Sequence, residues 1–239
     1  MNNTIQVLPK LAIARRLYGS YRGIRTAMLA LRAMPGEIAN SVTHGVGFVL
    51  SLLGTVGMLC YLLPRGDVWH RSGCIIFLLT MVTVYFASTC SHLITQPALR
   101  RWFRRLDQGV IYLFIAGSYT PWAITYGRSD VGLPLLGLIW LTALTGFVSK
   151  VVLRRHVNSV RLALYMLLAW IPVLPLRHLL DIVPVAAFAW LLIGGACYTV
   201  GTIFWKIDNK RYNFHAIWHV MVMLGTTCHY VAVFNYAIP

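Results

Sequence analysis

The stretch FHAIWHVMVMLGTTCHYVAVFNYA, residues 214–237, decides the fold. It holds no Asp, Glu, Lys or Arg, and it is long enough to cross a bilayer, for which a helix needs about 20 apolar residues. The side chains in it that titrate near neutrality are His215, His219 and His229. His215 and His219 are four residues apart, so a helix sets both imidazoles on one face, about 6 Å apart along the axis. That spacing chelates a metal ion. One segment therefore poses both questions about the chain, how it sits in lipid and what its polar groups hold.

Working outward, comparable apolar runs occupy residues 42–63, 73–95, 107–126, 131–152, 159–176 and 183–205. The chain is 58% apolar and 11% charged with a mean hydropathy of +0.68, which excludes an ordinary water-soluble domain. The expectation is an all-α integral membrane protein, a bundle of seven transmembrane helices over residues 37–239, preceded by a basic arm over residues 1–36.

A net charge of +15 would suit nucleic acid, but the positions of the basic residues exclude that partner. Of the 21 Lys and Arg, all except Arg65, Arg71, Arg128 and Arg177 fall in the N-terminal arm and the even-numbered loops. The positive-inside rule then puts the N-terminus in the cytoplasm and the C-terminus outside. In the arm, Leu17, Tyr21, Ile24, Met28 and Leu31 recur at helical spacing between arginines. This predicts an interfacial helix whose basic face meets anionic headgroups. Arginines interrupt any signal-peptide core, while an organelle transit peptide stays open as an alternative. The five cysteines lack a CxxC pair; Cys60 and Cys74 both approach the outer face, where a disulfide competes with simple apolar packing.

Ionisable groups inside a bilayer are costly and call for a partner or a role. His92 falls at the cytoplasmic end of the second run, level with His215 and His219, and Asp107 opens the third run on the same side. Three imidazoles with a nearby carboxylate form a donor set for a divalent ion, with Asp107 coordinating directly or holding a water. Zinc suits these ligands best, with iron, nickel and manganese also compatible. Ser88 lies one turn before His92 and either reaches the same cavity or bonds back to its own helix. Glu37, Asn40 and His44 line one side of the first run, as caps or as support for the ligands. His229, about 15 Å beyond His219, cannot share the ion and is expected to hydrogen-bond between helices. Pro121, Pro172 and Pro175 predict kinks.

EIANSVTHGVG at 37–47, the SxxxH of Ser88 and His92 followed by DQGVIYLFIAGSYTP at 107–121, and FHAIWH at 214–219 with His229 beyond it resemble the progestin and adiponectin receptor family, in its bacterial hemolysin III branch. The resemblance runs from Glu37 to Tyr230. It implies a seven-helix, multi-pass protein of the bacterial plasma membrane. It also implies zinc held by His92, His215 and His219, with Asp107 contacting the ion through water and Ser88 beside it. The expected activity is hydrolysis of lipid amide or ester bonds, ceramidase-like, in membrane-lipid homeostasis. Asp107 would act as base and Ser88 would assist the oxyanion, with a membrane lipid as substrate. The alternatives are a non-enzymatic sensor with structural zinc and a hemolysin-type pore.

Overall fold

The computed structural model describes residues 7–128, 131–153, 158–171, 181–208 and 213–239, and the side chains among them from residue 36 onward except 158–161. The apolar stripe expected in the arm, and Pro172 and Pro175, lie outside what is described. Among the described residues the chain forms seven helices and no strand. They are α1 (Val7–Arg65), α2 (Val68–Leu93), α3 (Pro97–Thr125), α4 (Gly132–Val151), α5 (Asn158–Trp170), α6 (Val185–Ile207) and α7 (Phe214–Tyr236).

Five segments are long and apolar enough to cross a membrane: Gly36–Arg65 of α1, and α2, α4, α6 and α7 entire. The expected crossings at 107–126 and 159–176 do not join them. The first turns of α3 are crowded with arginine, and α5 is described over only 13 residues. The outward faces explain why these segments belong in lipid. Leu53, Leu79 and Leu141 are each more than 60% exposed, and such apolar surface all round a bundle suits acyl chains and not water.

Two boundaries differ from expectation. At 59 residues and about 1.5 Å per residue, α1 is roughly 90 Å long and passes through residue 36 as unbroken helix. Glu37 and Asn40 therefore cap nothing, since the helix starts well upstream of them. Residues 100–105, expected as a loop, are helical because α3 opens at Pro97, whose fixed backbone angle and missing N–H suit a first turn. Arg100 and Arg104 thereby come onto one helix face.

Helices consecutive along the chain pack together. α2 lies between α1 and α3, α4 lies on α3, α6 pairs with α7, and α7 closes back on α1. The α1–α2 turn is tight. A Cβ on Gly66 would come within 2.8 Å of Leu62, and the Asp67 carboxylate caps α2 by accepting from the backbone N–H groups of Trp69 and His70, both at 2.9 Å. At the opposite end from the histidines, the Tyr126 hydroxyl donates to the Tyr236 carbonyl and joins α3 to α7. The helix α3 continues one turn beyond Pro121. All five cysteines are free, Cys60 and Cys74 included.

Candidate metal centre

His92 sits in the last turn of α2, and His215 and His219 occupy the first two turns of α7. The packing of these helices around α1 brings together residues that are far apart in the chain. One ring nitrogen from each of the three lies within 4.8 Å of the others, and the ring centroids are 5.4 Å (His92–His215), 5.2 Å (His92–His219) and 4.5 Å (His215–His219) apart. Rotation of the rings closes such a set onto one ion, whose bonds to imidazole run about 2.0–2.1 Å.

The hydrogen bonds behind the rings fix which nitrogen is available. His92 Nδ1 is 2.9 Å from Glu37 Oε2, and a carboxylate only accepts, so the proton is on Nδ1 and Nε2 keeps its lone pair. The Thr43 hydroxyl donates to the Ala39 carbonyl at 2.9 Å or the Asn40 carbonyl at 3.0 Å, so its oxygen accepts from His219 Nδ1 at 3.1 Å. His219 is thereby set in the same tautomer. His215 faces the Asp208 carboxylate, which accepts its backbone N–H at 2.9 Å and lies 3.8 Å from its Nδ1. An oxygen behind Nδ1 and a free Nε2 in front is the arrangement that prepares imidazole for a metal. The donor set fits zinc.

Glu37 does more than orient His92. Its carboxylate also meets Arg100 at 2.6 Å and Arg104 at 3.2 Å, so one acid from α1 ties α2 to the start of α3. Arginines crowded at a helix N-terminus are disfavoured by the macrodipole, and Glu37 offsets that cost. His44 is buried, with its ring centroid 3.8 Å from that of His219 and its Nδ1 without a partner; the Asn40 side-chain oxygen is also buried and unpartnered. Both flank the histidines.

Asp107 is not in the three-histidine set. Its carboxylate faces the Ser91 hydroxyl at 3.2 Å, a hydroxyl that also donates to the Ser88 carbonyl at 2.9 Å, and Ser88 lies beside it. Sequence reasoning missed Thr43, Ser91, Arg104 and Asp208. The first two gave a usable signal, each standing one residue before a histidine already singled out. Arg104 and Asp208 gave none, because both were assigned to loops.

The three histidines, with Glu37, Asp107 and Asp208, line one end of a cavity of about 500 Å³. The cavity continues between apolar walls that include Ile111, Phe114, Leu191 and Val222, and reaches Trp122 and His229. His229 is buried and packs against Gly194, with the Tyr198 ring edge-on at 5.5 Å. Its ring meets the Leu191 backbone of α6, the neighbouring helix, though neither ring nitrogen makes a hydrogen bond of good geometry. The site thus combines a polar, metal-competent end with a long apolar chamber.

Residues 32–230 match a family model described as haemolysin-III related. The chain is 32% identical to Hemolysin-3 of Bacillus cereus over 203 residues, covering 85% of this chain and 92% of that protein. It is 32% identical to the Hemolysin-3 homolog of Bacillus subtilis (strain 168) over 202 residues, covering 84% and 94%. A more distant relative, Monocyte to macrophage differentiation factor of Homo sapiens, is 27% identical over 205 residues, 83% of each chain.

Proposed function

Because the chain belongs to the haemolysin-III-related family and is a multi-pass membrane protein, we propose that it is a zinc-dependent hydrolase of lipid amide or ester bonds in the plasma membrane. The observation that carries this reading is the set of three imidazoles, two of them with Nδ1 hydrogen-bonded from behind and the third facing a carboxylate, at the end of an apolar cavity. Seven crossings with a cytoplasmic N-terminus follow from the placement of the basic residues. That topology opens the histidine end toward the inner leaflet.

Held by His92, His215 and His219, zinc supplies a Lewis acid that polarises a carbonyl and brings the pKa of water toward about 7. The chain's own groups do the rest. Asp107, held by Ser88 and Ser91, is the carboxylate placed to take a proton. Ser88, beside Asp107 in the cavity, is placed to assist the developing oxyanion. The apolar walls exclude water from the substrate chain, and the arginines of the first turns of α3 meet its anionic headgroup. Purified protein is expected to contain zinc and release acyl chains from candidate lipids, and the double variant His215→Ala, His219→Ala to lose both. Equal turnover by the two proteins would overturn the reading.

The Glu37 contacts that join α1, α2 and α3 favour a second reading, a sensor in which zinc locks helices together. It predicts that chelation lowers the melting temperature while no lipid is turned over.

A further inference from the structure

Buried polar groups in folded proteins almost always have a hydrogen-bond partner, and one left without needs an explanation. At the end of the cavity away from the three histidines, two side chains break that rule together. Both ring nitrogens of His229, whose ring meets the Leu191 backbone, and the indole Nε1 of Trp122 are buried without a hydrogen bond of good geometry, and both residues line the cavity. His229 is 6% exposed and Trp122 7%. The neighbouring hydroxyls are already engaged. Tyr198 and Thr226 bond each other at 3.0 Å, and Thr226 also donates to the Val222 carbonyl at 2.9 Å.

His229 lies ten residues along α7 from His219, and Trp122 fifteen along α3 from Asp107, which is about 15 Å and about 22 Å of helix. The hydrocarbon core is about 30 Å thick, so a single leaflet's chain spans about half of it. A chain whose head lies at the three histidines therefore brings its distal half to the level of His229, with Trp122 deeper along the same cavity.

We propose that His229 and Trp122 form a second polar subsite that recognises a hydroxyl in the distal half of a bound acyl chain. This rests on reading the cavity as the place where the substrate chain lies. A neutral imidazole has one donor and one acceptor nitrogen, and the indole adds a donor. A hydroxyl, which both donates and accepts, complements them. A carboxylate or ammonium does not, since Arg104, Glu37 and the other charged lining residues are at the histidine end and a charge buried alone is costly. Gly194 makes room for the ring, as a Cβ there would fall 2.3 Å from His229 Cδ2.

The test compares ricinoleate with oleate, which differ by one hydroxyl in the distal half of the same chain. Their binding to the purified full chain in nanodiscs is measured for wild type, His229→Leu and Trp122→Phe. Wild type is expected to bind ricinoleate about tenfold more tightly, the reward for pairing buried polar groups. His229→Leu should abolish the preference while keeping oleate affinity, and should raise the melting temperature, because an unpaired buried polar group has been replaced by an apolar one. Trp122→Phe should weaken the preference with the fold intact. Equal affinity of wild type for the two acids, a preference that survives in His229→Leu, or no binding of either acid overturns the proposal. Hydrolysis is judged separately, by acyl release from the zinc-loaded protein, and can fail or stand whatever this comparison gives.

Discussion

Glu37 meets His92, Arg100 and Arg104 at once, so its removal acts on the metal site and on the joint between helices together. Replacing it by Gln keeps the shape but weakens the hold on His92 Nδ1–H. Loss of such a supporting carboxylate costs about 10–100-fold in metal affinity, and Glu37→Gln is expected to show that loss in a chelator-competition titration. Asp107 predicts a different pattern. It stands apart from the three-imidazole set, so Asp107→Asn should leave zinc content near that of wild type while lowering acyl release by about 10²–10⁴-fold, the usual worth of a proton acceptor. At this scale the sequence carried the three histidines that the fold brings together but not the residues behind them. His92, His215 and His219 stand out because a membrane helix tolerates few such groups, whereas the partners of Glu37 are 55 to 67 positions away and no local pattern announces them.

Helices α6 and α7 approach closely where small residues face large rings. A Cβ on Gly225 would lie 2.7 Å from the Tyr198 ring, so Gly225→Ala must displace a half-buried aromatic that also bonds Thr226. Overpacking of this kind costs about 1–3 kcal/mol, and the variant should melt at a lower temperature than wild type. The start of α2 gives a pH prediction. The His70 backbone N–H, followed by the His70 ring and Trp69 N–H, holds the Asp67 carboxyl below its ordinary value of 3.8. A depressed acid stabilises the fold above its unfolded pKa, and that contribution is lost as pH falls through the folded one. Amide exchange at Trp69 and His70 should therefore quicken on acidification below about pH 4, when referred to the intrinsic rate, and Asp67→Asn should lack this acid step. Apolar runs located most helices to within a few residues. What escaped was the unbroken passage of the arm's helix into α1 and the start of α3, because both lie in basic sequence, where hydropathy is silent and a helix declares itself through a first-turn proline or through contacts made elsewhere.

Across the whole molecule, leucines and valines face outward, the inverse of a soluble domain's plan, while serines, histidines and acids gather at one end of an otherwise apolar chamber. That inversion was legible in composition, and the family followed from motifs spread along most of the chain. The chamber was not, because a cavity depends on what several helices leave unfilled together. Orientation makes a prediction at this scale: single cysteines introduced at Arg101 and Lys206 in a background without the five native cysteines should react with an impermeant thiol reagent from the cytoplasmic side only, and one at Arg128 from the outside only. The central claim is that α2 and α7 converge on one ion, and zinc-edge X-ray absorption of the protein in lipid, never exposed to chelator, tests it most directly. The account predicts one zinc per chain with three imidazole nitrogens at about 2.0–2.1 Å, reduced when His92 is replaced by Ala. Protein that carries no metal, or an ion whose imidazole shell is unchanged in that variant, would contradict it.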